Sequence, residues 1–206
     1  MRILKKILLW LAIVIVAVSI LAQFLPGKWE VTRTAVVNAE PSQIYPWIAN
    51  IENWQKWNAF SYNDPEIVHT YPAAKSGVGA EDHWKSKKFG DGSAKILKAY
   101  PDLGITYELR FAARGDASLG SISFGKVEEG KTTVVYSVAG ETGRNPVFRI
   151  FSQFTDKFLG DYFEESLGKL KALSENTPVP APEAVPVDAP VIDGATTASA
   201  AHGARK

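Results

Sequence analysis

The sequence predicts an α+β protein: a seven-stranded antiparallel sheet, a long C-terminal helix against it, and a transmembrane helix at the N-terminus. Three observations lead to this fold class. Short alternating apolar and polar runs fill residues 66–140, and the turns between them are too short to hold crossover helices. Apolar and aromatic residues recur at helical spacing over residues 145–176. Residues 7–25 carry no charge and are long enough to cross a bilayer.

The uncharged segment 7–25 is rich in Leu, Ile, Val and Ala, and as a helix it would span about 30 Å, the thickness of a bilayer core. A cleaved secretory signal is the alternative, but its apolar region usually runs for only about 7–15 residues. Arg2, Lys5 and Lys6 precede the segment, so the positive-inside rule leaves the N-terminus in the cytoplasm. We therefore expect a single-pass anchor in the plasma membrane, with the rest of the chain outside the cytoplasm.

The composition fits one globular domain between two atypical ends. Of the 206 residues, 46% are hydrophobic and 22% are charged, as in an ordinary folded domain. The chain has no cysteine, which excludes thiol chemistry. Its formal net charge is +1 and it has no basic patch, so nucleic acid is not an expected partner.

The C-terminal segment 177–206 is rich in proline, alanine and other small residues, which predicts a disordered tail. A proline-rich partner motif is the alternative reading. No basic residue flanks the Pro-Val-Pro-Ala-Pro run, which favours an extended spacer. The expected organisation is therefore a cytoplasmic stub and anchor over 1–27, a folded domain over 28–176, and a tail over 177–206.

The folded domain opens with a β-branched run over 28–38, which predicts the first strand. A helix should follow, with Pro41 at its first position. Pro46 lies inside this helix, so we expect the helix to be short, kinked or late in starting. Turn signals then divide the sequence into six further strands, at 66–71, 79–87, 92–100, 104–113, 117–127 and 132–140.

The last element is a helix that should begin at Pro146 and continue to the tail. Its aromatic residues Phe151, Phe154 and Phe158 point in a somewhat different direction from the apolar residues that follow. Gly160 lies between the two groups, which predicts a bend or a change of contact surface there. We expect the three phenylalanines on the underside of the helix, facing the sheet.

Four parts of the domain carry recognisable motifs: AEPSQI at 39–44, IENWQKWN at 51–58, GVG at 77–79 leading to Trp84, and DYFEESLGKLK at 161–171. Together with the element order, they resemble the SRPBCC superfamily, which includes START domains and birch-pollen-like allergens, and within it the bacterial polyketide cyclase/dehydrase-like branch. The resemblance covers about residues 29–175. It implies a helix-grip fold, in which the sheet curls around the C-terminal helix and leaves a cavity. For a bacterial protein, the orientation predicted from the charges ahead of the apolar segment places the domain in the periplasm. It implies no reaction, because the superfamily shares no catalytic residues.

Alternation along the strands identifies the residues that should face the helix. On 104–113, Tyr107, Leu109 and Phe111 share one face with period two, and the same rule selects inward residues on the neighbouring strands. These faces could be plain core or could line a ligand cavity, and of the two tryptophans at 54 and 57 we assign Trp54 to the core. The predicted cavity residues are Trp57, Trp84, Tyr107, Leu109, Phe111, Ile122, Phe124, Tyr136, Phe151, Phe154 and Phe158.

Catalytic groups are not evident from any motif. A general acid or base could come from Asp82, His83, Tyr107 or Tyr136 if the group is buried beside a ligand. The chain has only three histidines, which are far apart, and no cysteine, so we expect no metal and no cofactor. Nucleophile motifs, paired carboxylates and phosphate-binding glycine loops are missing from the sequence.

Three functions are compatible with these features. The favoured one is a membrane-anchored extracytoplasmic domain that binds a hydrophobic small molecule or lipid in an internal cavity, because an anchor and an aromatic helix occur without a catalytic motif. The alternatives are an enzyme of the cyclase or hydratase type acting in the same cavity, and a partner-binding envelope or stress module. The sequence identifies no protein partner.

Overall fold

The computed structural model describes residues 2–112 and 117–176. Its strands form one antiparallel sheet in the order β1-β7-β6-β5-β4-β3-β2, which confirms the predicted fold class. The strands are β1 (Lys28–Val37), β2 (Val68–Thr70), β3 (Glu81–Lys85), β4 (Gly92–Tyr100), β5 (Gly104–Phe111), β6 (Ala117–Glu128) and β7 (Lys131–Glu141). The helices are α1 (Arg2–Ala22), α2 (Pro41–Ala49), α3 (Trp54–Trp57), α4 (Ala59–Tyr62), α5 (Pro146–Ser152) and α6 (Thr155–Asn176), with a 3₁₀ turn at Ile51–Asn53.

The sheet curves around α6, and its inward face supplies the core. β1 pairs with β7 from Lys28 opposite Glu141 to Val37 opposite Thr132, so the first and last strands are neighbours. Irregular pairing interrupts β4 and β6, and such bulges increase the local twist that bends a sheet. Inward residues of the strands are buried together with Phe163, Leu167 and Leu170 of α6.

The helix after β1 is short, as Pro46 predicts. α2 has Pro41 at its start and ends at Ala49, and the side chain of Gln43 accepts a hydrogen bond from the backbone N–H of Glu40 at 3.0 Å. The side chain of Glu40 in turn accepts from the backbone N–H of Gln43. This pair of hydrogen bonds is a capping box, which fixes the start of the helix. Beyond α2, the carbonyl of Pro46 accepts a hydrogen bond from the side chain of Asn53 at 3.2 Å, which ties the following turn to the helix.

The C-terminal helix is interrupted, and the interruption is not where the sequence predicts it. α5 ends at Ser152 and α6 starts at Thr155, whereas Gly160 lies buried inside α6. The helix has no break at Gly160, but the contact surface changes around it, because Phe158 before it is exposed and Leu167 after it is buried. The guanidinium of Arg33 crosses α6 at this glycine, and a Cβ there would lie less than 3.0 Å from it. Gly160 thus permits close approach between β1 and α6.

The N-terminal helix α1 is apolar after Lys6 and is not covered by the rest of the described protein. Its span from Ile3 to Ala22 is long and apolar enough to cross a membrane. The segment that follows it contacts the loop before α5, where the side chain of Gln23 donates to the carbonyl of Arg144 at 3.1 Å. The predicted tail over 177–206 lies outside the described residues.

Candidate ligand-binding cavity

A cavity of about 340 Å³ lies between the inward face of the sheet, α3–α4 and the α5–α6 junction. This volume exceeds the roughly 300 Å³ at which ligand sites begin. Its walls are mainly aromatic and aliphatic, and its polar side chains come from a few residues only. It is lined by Trp29, Trp54, Asn58, Phe60, Ser61, Ile67, His69, Asp82, Trp84, Phe89, Ala94, Tyr107, Leu109, Phe111, Tyr136, Val138, Phe151, Thr155, Phe158, Leu159 and Phe163.

Most of the cavity residues named from the sequence lie in this lining. Strand alternation places the inward residues of β3, β5 and β7 there, and the α5–α6 junction adds two phenylalanines. The predicted residues that line the cavity are Trp84, Tyr107, Leu109, Phe111, Tyr136, Phe151 and Phe158.

Four predicted residues lie elsewhere. Trp57 is fully buried beneath the cavity, where its indole N–H donates to the carbonyl of Trp47 at 2.9 Å. Ile122 and Phe124 are buried in the core on β6. Phe154 is 53% exposed, because it lies in the turn between α5 and α6 and not on a helix face. The expectation that all three phenylalanines face the sheet is therefore wrong, since Phe151 and Phe158 are also more than half exposed, at the rim of the cavity.

The two tryptophans of the IENWQKWN segment are both buried in the core, as assigned for Trp54, but only Trp54 also lines the cavity. Trp54, assigned to the core, lines the cavity with its ring edge-on to Tyr107 at a centroid distance of 4.9 Å. Its indole N–H donates to the carbonyl of Ile48 at 2.8 Å. Because this hydrogen bond leaves the indole without a free donor, Trp54 presents an apolar surface to the cavity.

Three aromatic rings of the lining each lie across from a glycine in the neighbouring strand. The cross-strand pairs are Trp29 with Gly140, Trp84 with Gly92, and Tyr107 with Gly120. In every pair a Cβ on the glycine would lie less than 3.0 Å from the ring. Cross-strand neighbours are the closest side chains in a sheet, so a glycine lets the partner ring lie flat on the backbone. The rings therefore cover the sheet without filling the cavity.

Gly120→Ala is expected to destabilise the domain by about 1–3 kcal/mol, because the added methyl group must displace the buried ring of Tyr107. Gly168→Ala is the matched control, since Gly168 is exposed on α6 with open space around its Cβ position. Removing a helical glycine there should stabilise the protein by up to about 1 kcal/mol. Urea unfolding of both variants measures the difference, and equal effects would contradict the proposed packing of Tyr107.

The hydroxyl oxygens of Tyr107 and Tyr136 lie 3.5 Å apart beside the cavity. Burial raises the pKa of Tyr136 to about 12 and raises the pKa of Tyr107 well above its ordinary value. Both phenols are therefore neutral at physiological pH. They can donate hydrogen bonds to a ligand oxygen, but as bases they would be poorly matched to neutral conditions.

This shift predicts a loss of stability at alkaline pH. A tyrosine whose folded-state pKa is raised stabilises the fold fully below the unfolded pKa of about 10, and the contribution is lost as pH rises toward about 12. For Tyr136 the loss should be on the order of 2–3 kcal/mol. Urea midpoints between about pH 9 and 12 should fall less steeply in Tyr136→Phe than in the wild type. The same slope in both proteins would contradict this account.

A buried ionisable pair forms the main polar feature of the cavity wall. Nδ1 of His69 lies 2.8 Å from Oδ2 of Asp82, and both side chains are more than nine-tenths buried. The other polar atoms of the pair, Nε2 of His69 and Oδ1 of Asp82, are buried and have no hydrogen-bond partner among the described residues. Buried polar atoms are normally satisfied, so these two atoms are available to a polar group of a ligand.

Of the candidate acids and bases, Asp82, Tyr107 and Tyr136 line the cavity and His83 does not. His83 is exposed on the outer face of β3 and pairs with Glu81 at 2.7 Å. His69 was missed because it was considered only as a metal ligand, although it alternates with Ile67 and Tyr71 as an inward residue would. No group of three metal-ligating side chains forms within residues 2–112 and 117–176.

The model of one protein family, described as polyketide cyclase / dehydrase and lipid transport, matches residues 28–175. Comparison with curated proteins finds no significant match. A solved protein from Chromobacterium violaceum is 19% identical, covers 71% of this chain and 96% of its own, and has a TM-score of 0.51.

Two further solved structures have the same fold. A hypothetical protein from Helicobacter pylori is 10% identical over 70% of this chain and 87% of its own, with a TM-score of 0.54. A protein of unknown function from Staphylococcus aureus is 11% identical over 72% of this chain and 94% of its own, also with a TM-score of 0.54. At these identities the likeness concerns the fold alone.

Proposed function

The chain belongs to the polyketide cyclase / dehydrase and lipid transport family, and from that premise we propose that it is a membrane-anchored domain that binds an apolar small molecule or lipid. The observation that carries this proposal is the apolar, aromatic cavity of about 340 Å³. Ligand sites are typically concave and apolar with a few placed polar groups, which is the arrangement found here. α1 would provide the anchor.

The polar pair narrows the class of ligand. If Nδ1 of His69 carries the proton that it shares with Asp82, then Nε2 is an acceptor facing a ligand donor. A hydroxyl group on an otherwise apolar molecule would satisfy it. The volume is at the low end for ligand sites, so the cavity suits a compact molecule, or part of a longer chain whose remainder leaves beside the exposed rings of Phe151 and Phe158.

Ligand retention by a cavity-filling variant tests the proposal. Ala94 is buried in the cavity wall, so Ala94→Phe should occupy the space and remove the ligand. Ala172 is exposed on α6, so Ala172→Phe adds the same ring at a distance from the cavity. Native mass spectrometry of the detergent-extracted full chain should find bound small molecules in the wild type and Ala172→Phe, but not in Ala94→Phe.

Two results would contradict the proposal. One is the absence of a bound molecule in the wild type after extraction from its native membrane, and the other is retention of the molecule by Ala94→Phe to the same extent as by the wild type. Leu109→Trp, which fills the cavity from β5, gives a second variant if Ala94→Phe does not fold. Circular dichroism identifies the folded variants before any retention is compared.

Catalysis of the cyclase or hydratase type is a second candidate function, and the His69–Asp82 pair favours it. A carboxylate on Nδ1 orients the imidazole, so that Nε2 can accept a proton from a bound substrate. Neutral Tyr107 and Tyr136 could then donate hydrogen bonds to a carbonyl oxygen that gains negative charge.

His69→Gln separates catalysis from binding, because glutamine keeps a hydrogen-bonding side chain but does not transfer protons. Under the catalytic hypothesis this variant retains its bound molecule and loses the addition of water to enoyl thioesters, measured as a mass increase of the product. Absence of turnover in the wild type across chain lengths would leave the binding function as the sole one.

The proposed location is the periplasmic side of a bacterial inner membrane, with the N-terminus in the cytoplasm. It is supported by the positive charges of Arg2, Lys5 and Lys6 ahead of the apolar helix. Alkaline phosphatase fused after Lys206 should then be active in cells. Activity of a cytoplasmic reporter at the same position, without phosphatase activity, would reverse the orientation.

A further inference from the structure

Arg149 fixes α5 beside the end of the apolar helix. Its guanidinium donates to the carbonyl oxygens of Gln23 at 2.6 Å, Leu25 at 3.1 Å and Gly143 at 2.8 Å. Three segments therefore meet at one side chain: the end of α1, the loop after β7, and α5 itself. Charge-assisted hydrogen bonds of this kind are the stronger ones, so α5 is held at the position where the chain leaves α1.

The outer side of this junction is apolar and exposed. We call it the junction face and define it by Phe24, Val147, Ile150, Phe151 and Phe154, all of which are large, apolar and exposed. Single exposed apolar residues are normal on a protein surface, but a contiguous group marks a surface that meets another apolar phase. Arg144 and Lys157 are exposed beside this group, where they would suit the phosphates of a lipid surface.

The cavity opens at the same place. Phe151 and Phe158 line the cavity and are themselves more than half exposed, with their rings stacked at a centroid distance of 5.7 Å. Trp29, on the opposite wall, is only four residues beyond Leu25, which limits the distance between their Cα atoms to about 14 Å. The mouth of the cavity is therefore close to the end of α1.

We propose that the junction face inserts into the bilayer leaflet at which α1 ends, so that the cavity mouth beside the stacked rings of Phe151 and Phe158 opens onto the lipid surface. The inference rests on the proposed function, since it takes α1 as an anchor and the cavity as a ligand site. The bilayer is the occupant that the structure favours, because the face begins two residues after α1 and Arg149 prevents α5 from turning away. A bound ligand would then exchange with the membrane without crossing water.

The depth of a label at Phe154 tests this insertion. The chain has no cysteine, so Phe154→Cys and Val36→Cys each provide a single site for an environment-sensitive fluorophore. Val36 is the matched control: it is 51% exposed, compared with 53% for Phe154, and lies eight residues along β1 from Lys28, or about 26 Å. The labelled full chain is reconstituted in nanodiscs of phosphatidylglycerol and phosphatidylethanolamine, with and without brominated acyl chains.

The label at position 154 should have blue-shifted emission and lose most of its intensity in brominated lipid, whereas the label at position 36 should show neither change. Equal behaviour of the two labels would overturn the proposal. A blue shift at position 154 without quenching by bromine would also overturn it, because the cover would then be protein and not lipid. Val147→Cys offers a second position on the junction face if Phe154→Cys does not fold.

The measurement needs no ligand, so it fails or succeeds independently of the cavity. If the label at position 154 is in water and the wild type still retains a ligand, the proposed insertion is contradicted and the proposed binding function stands. A quenched label with no bound molecule in any preparation would remove the binding function and leave the insertion.

Discussion

His69→Leu should lower the free energy of unfolding by about 3 kcal/mol, and His69→Leu/Asp82→Leu should recover most of this loss. Removing His69 alone leaves the carboxylate of Asp82 buried without its only hydrogen-bond partner among the described residues. Removing one member of a buried, paired set of ionisable groups costs roughly 3–5 kcal/mol, and the expected loss is at the low end of that range. Replacing both members by apolar residues is often neutral, since the cost of desolvation disappears with the charges.

Denaturant unfolding of His69→Leu, Asp82→Leu and the double variant, followed by tryptophan fluorescence, measures the coupling energy between His69 and Asp82. His83→Leu is the control, because His83 is an exposed histidine that also pairs with a carboxylate, Glu81. Its removal should change the unfolding free energy by about 0.5 kcal/mol or less. A double variant whose loss equals the sum of the single losses would show that the pair is not coupled.

A stable double variant would also have a functional meaning. A buried charged pair that contributes no net stability is more easily explained by binding or chemistry than by folding. The double variant should then remain folded while losing a hydroxyl-bearing ligand. Retention of the ligand by this variant would assign the pair to neither binding nor structure.

The fold could be predicted because each signal is local and repeated. Alternation and turn residues define β3 to β7, and the short turns between them exclude parallel pairing. The same alternation correctly places Trp84, Tyr107, Leu109 and Tyr136 on the cavity side. Their position depends on the face of a strand, which a period of two determines.

The division between cavity and core could not be predicted, because it depends on tertiary hydrogen bonds. Trp54 and Trp57 are three residues apart and lie on the same side of one helical turn. Which ring meets the cavity is decided by the acceptors of their indole N–H groups, the carbonyl of Ile48 for Trp54 and that of Trp47 for Trp57. Nothing in the local pattern distinguishes the two acceptors.

The break between α5 and α6 could not be predicted from the sequence, because the backbone at the break stays close to helical. Gln153 keeps helical torsion angles, with φ −66° and ψ −18°, and the N–H of Phe154 bonds to the carbonyl of Phe151 in a tighter turn. The apolar spacing therefore continues through the break, although the regular hydrogen-bond pattern of the α-helix does not. The sequence points to Gly160 because a glycine inside a helix usually weakens the helix. In the structure, this glycine makes room for the side chain of Arg33.

Leu167→Ala should destabilise the domain by about 2–5 kcal/mol, because Leu167 is 3% exposed on the face of α6 that meets the core. For a protein of this size each kcal/mol shifts the melting temperature by roughly 2–4 °C, so the expected decrease is about 4–20 °C. Phe154→Ala should change stability by about 0.5 kcal/mol or less, since the ring that it removes is already more than half exposed.

Thermal melts of the full chain in detergent, followed by near-ultraviolet circular dichroism, compare the two variants under one condition. The contrast follows from the helix break: α6 packs against β1 through Leu167 and Leu170, while Phe154 precedes α6 and faces outward. Equal destabilisation by the two substitutions would mean that Phe154 belongs to the packed core. It would also remove the junction face, because a phenylalanine that stabilises the folded domain by several kcal/mol cannot at the same time be the side chain that enters the bilayer.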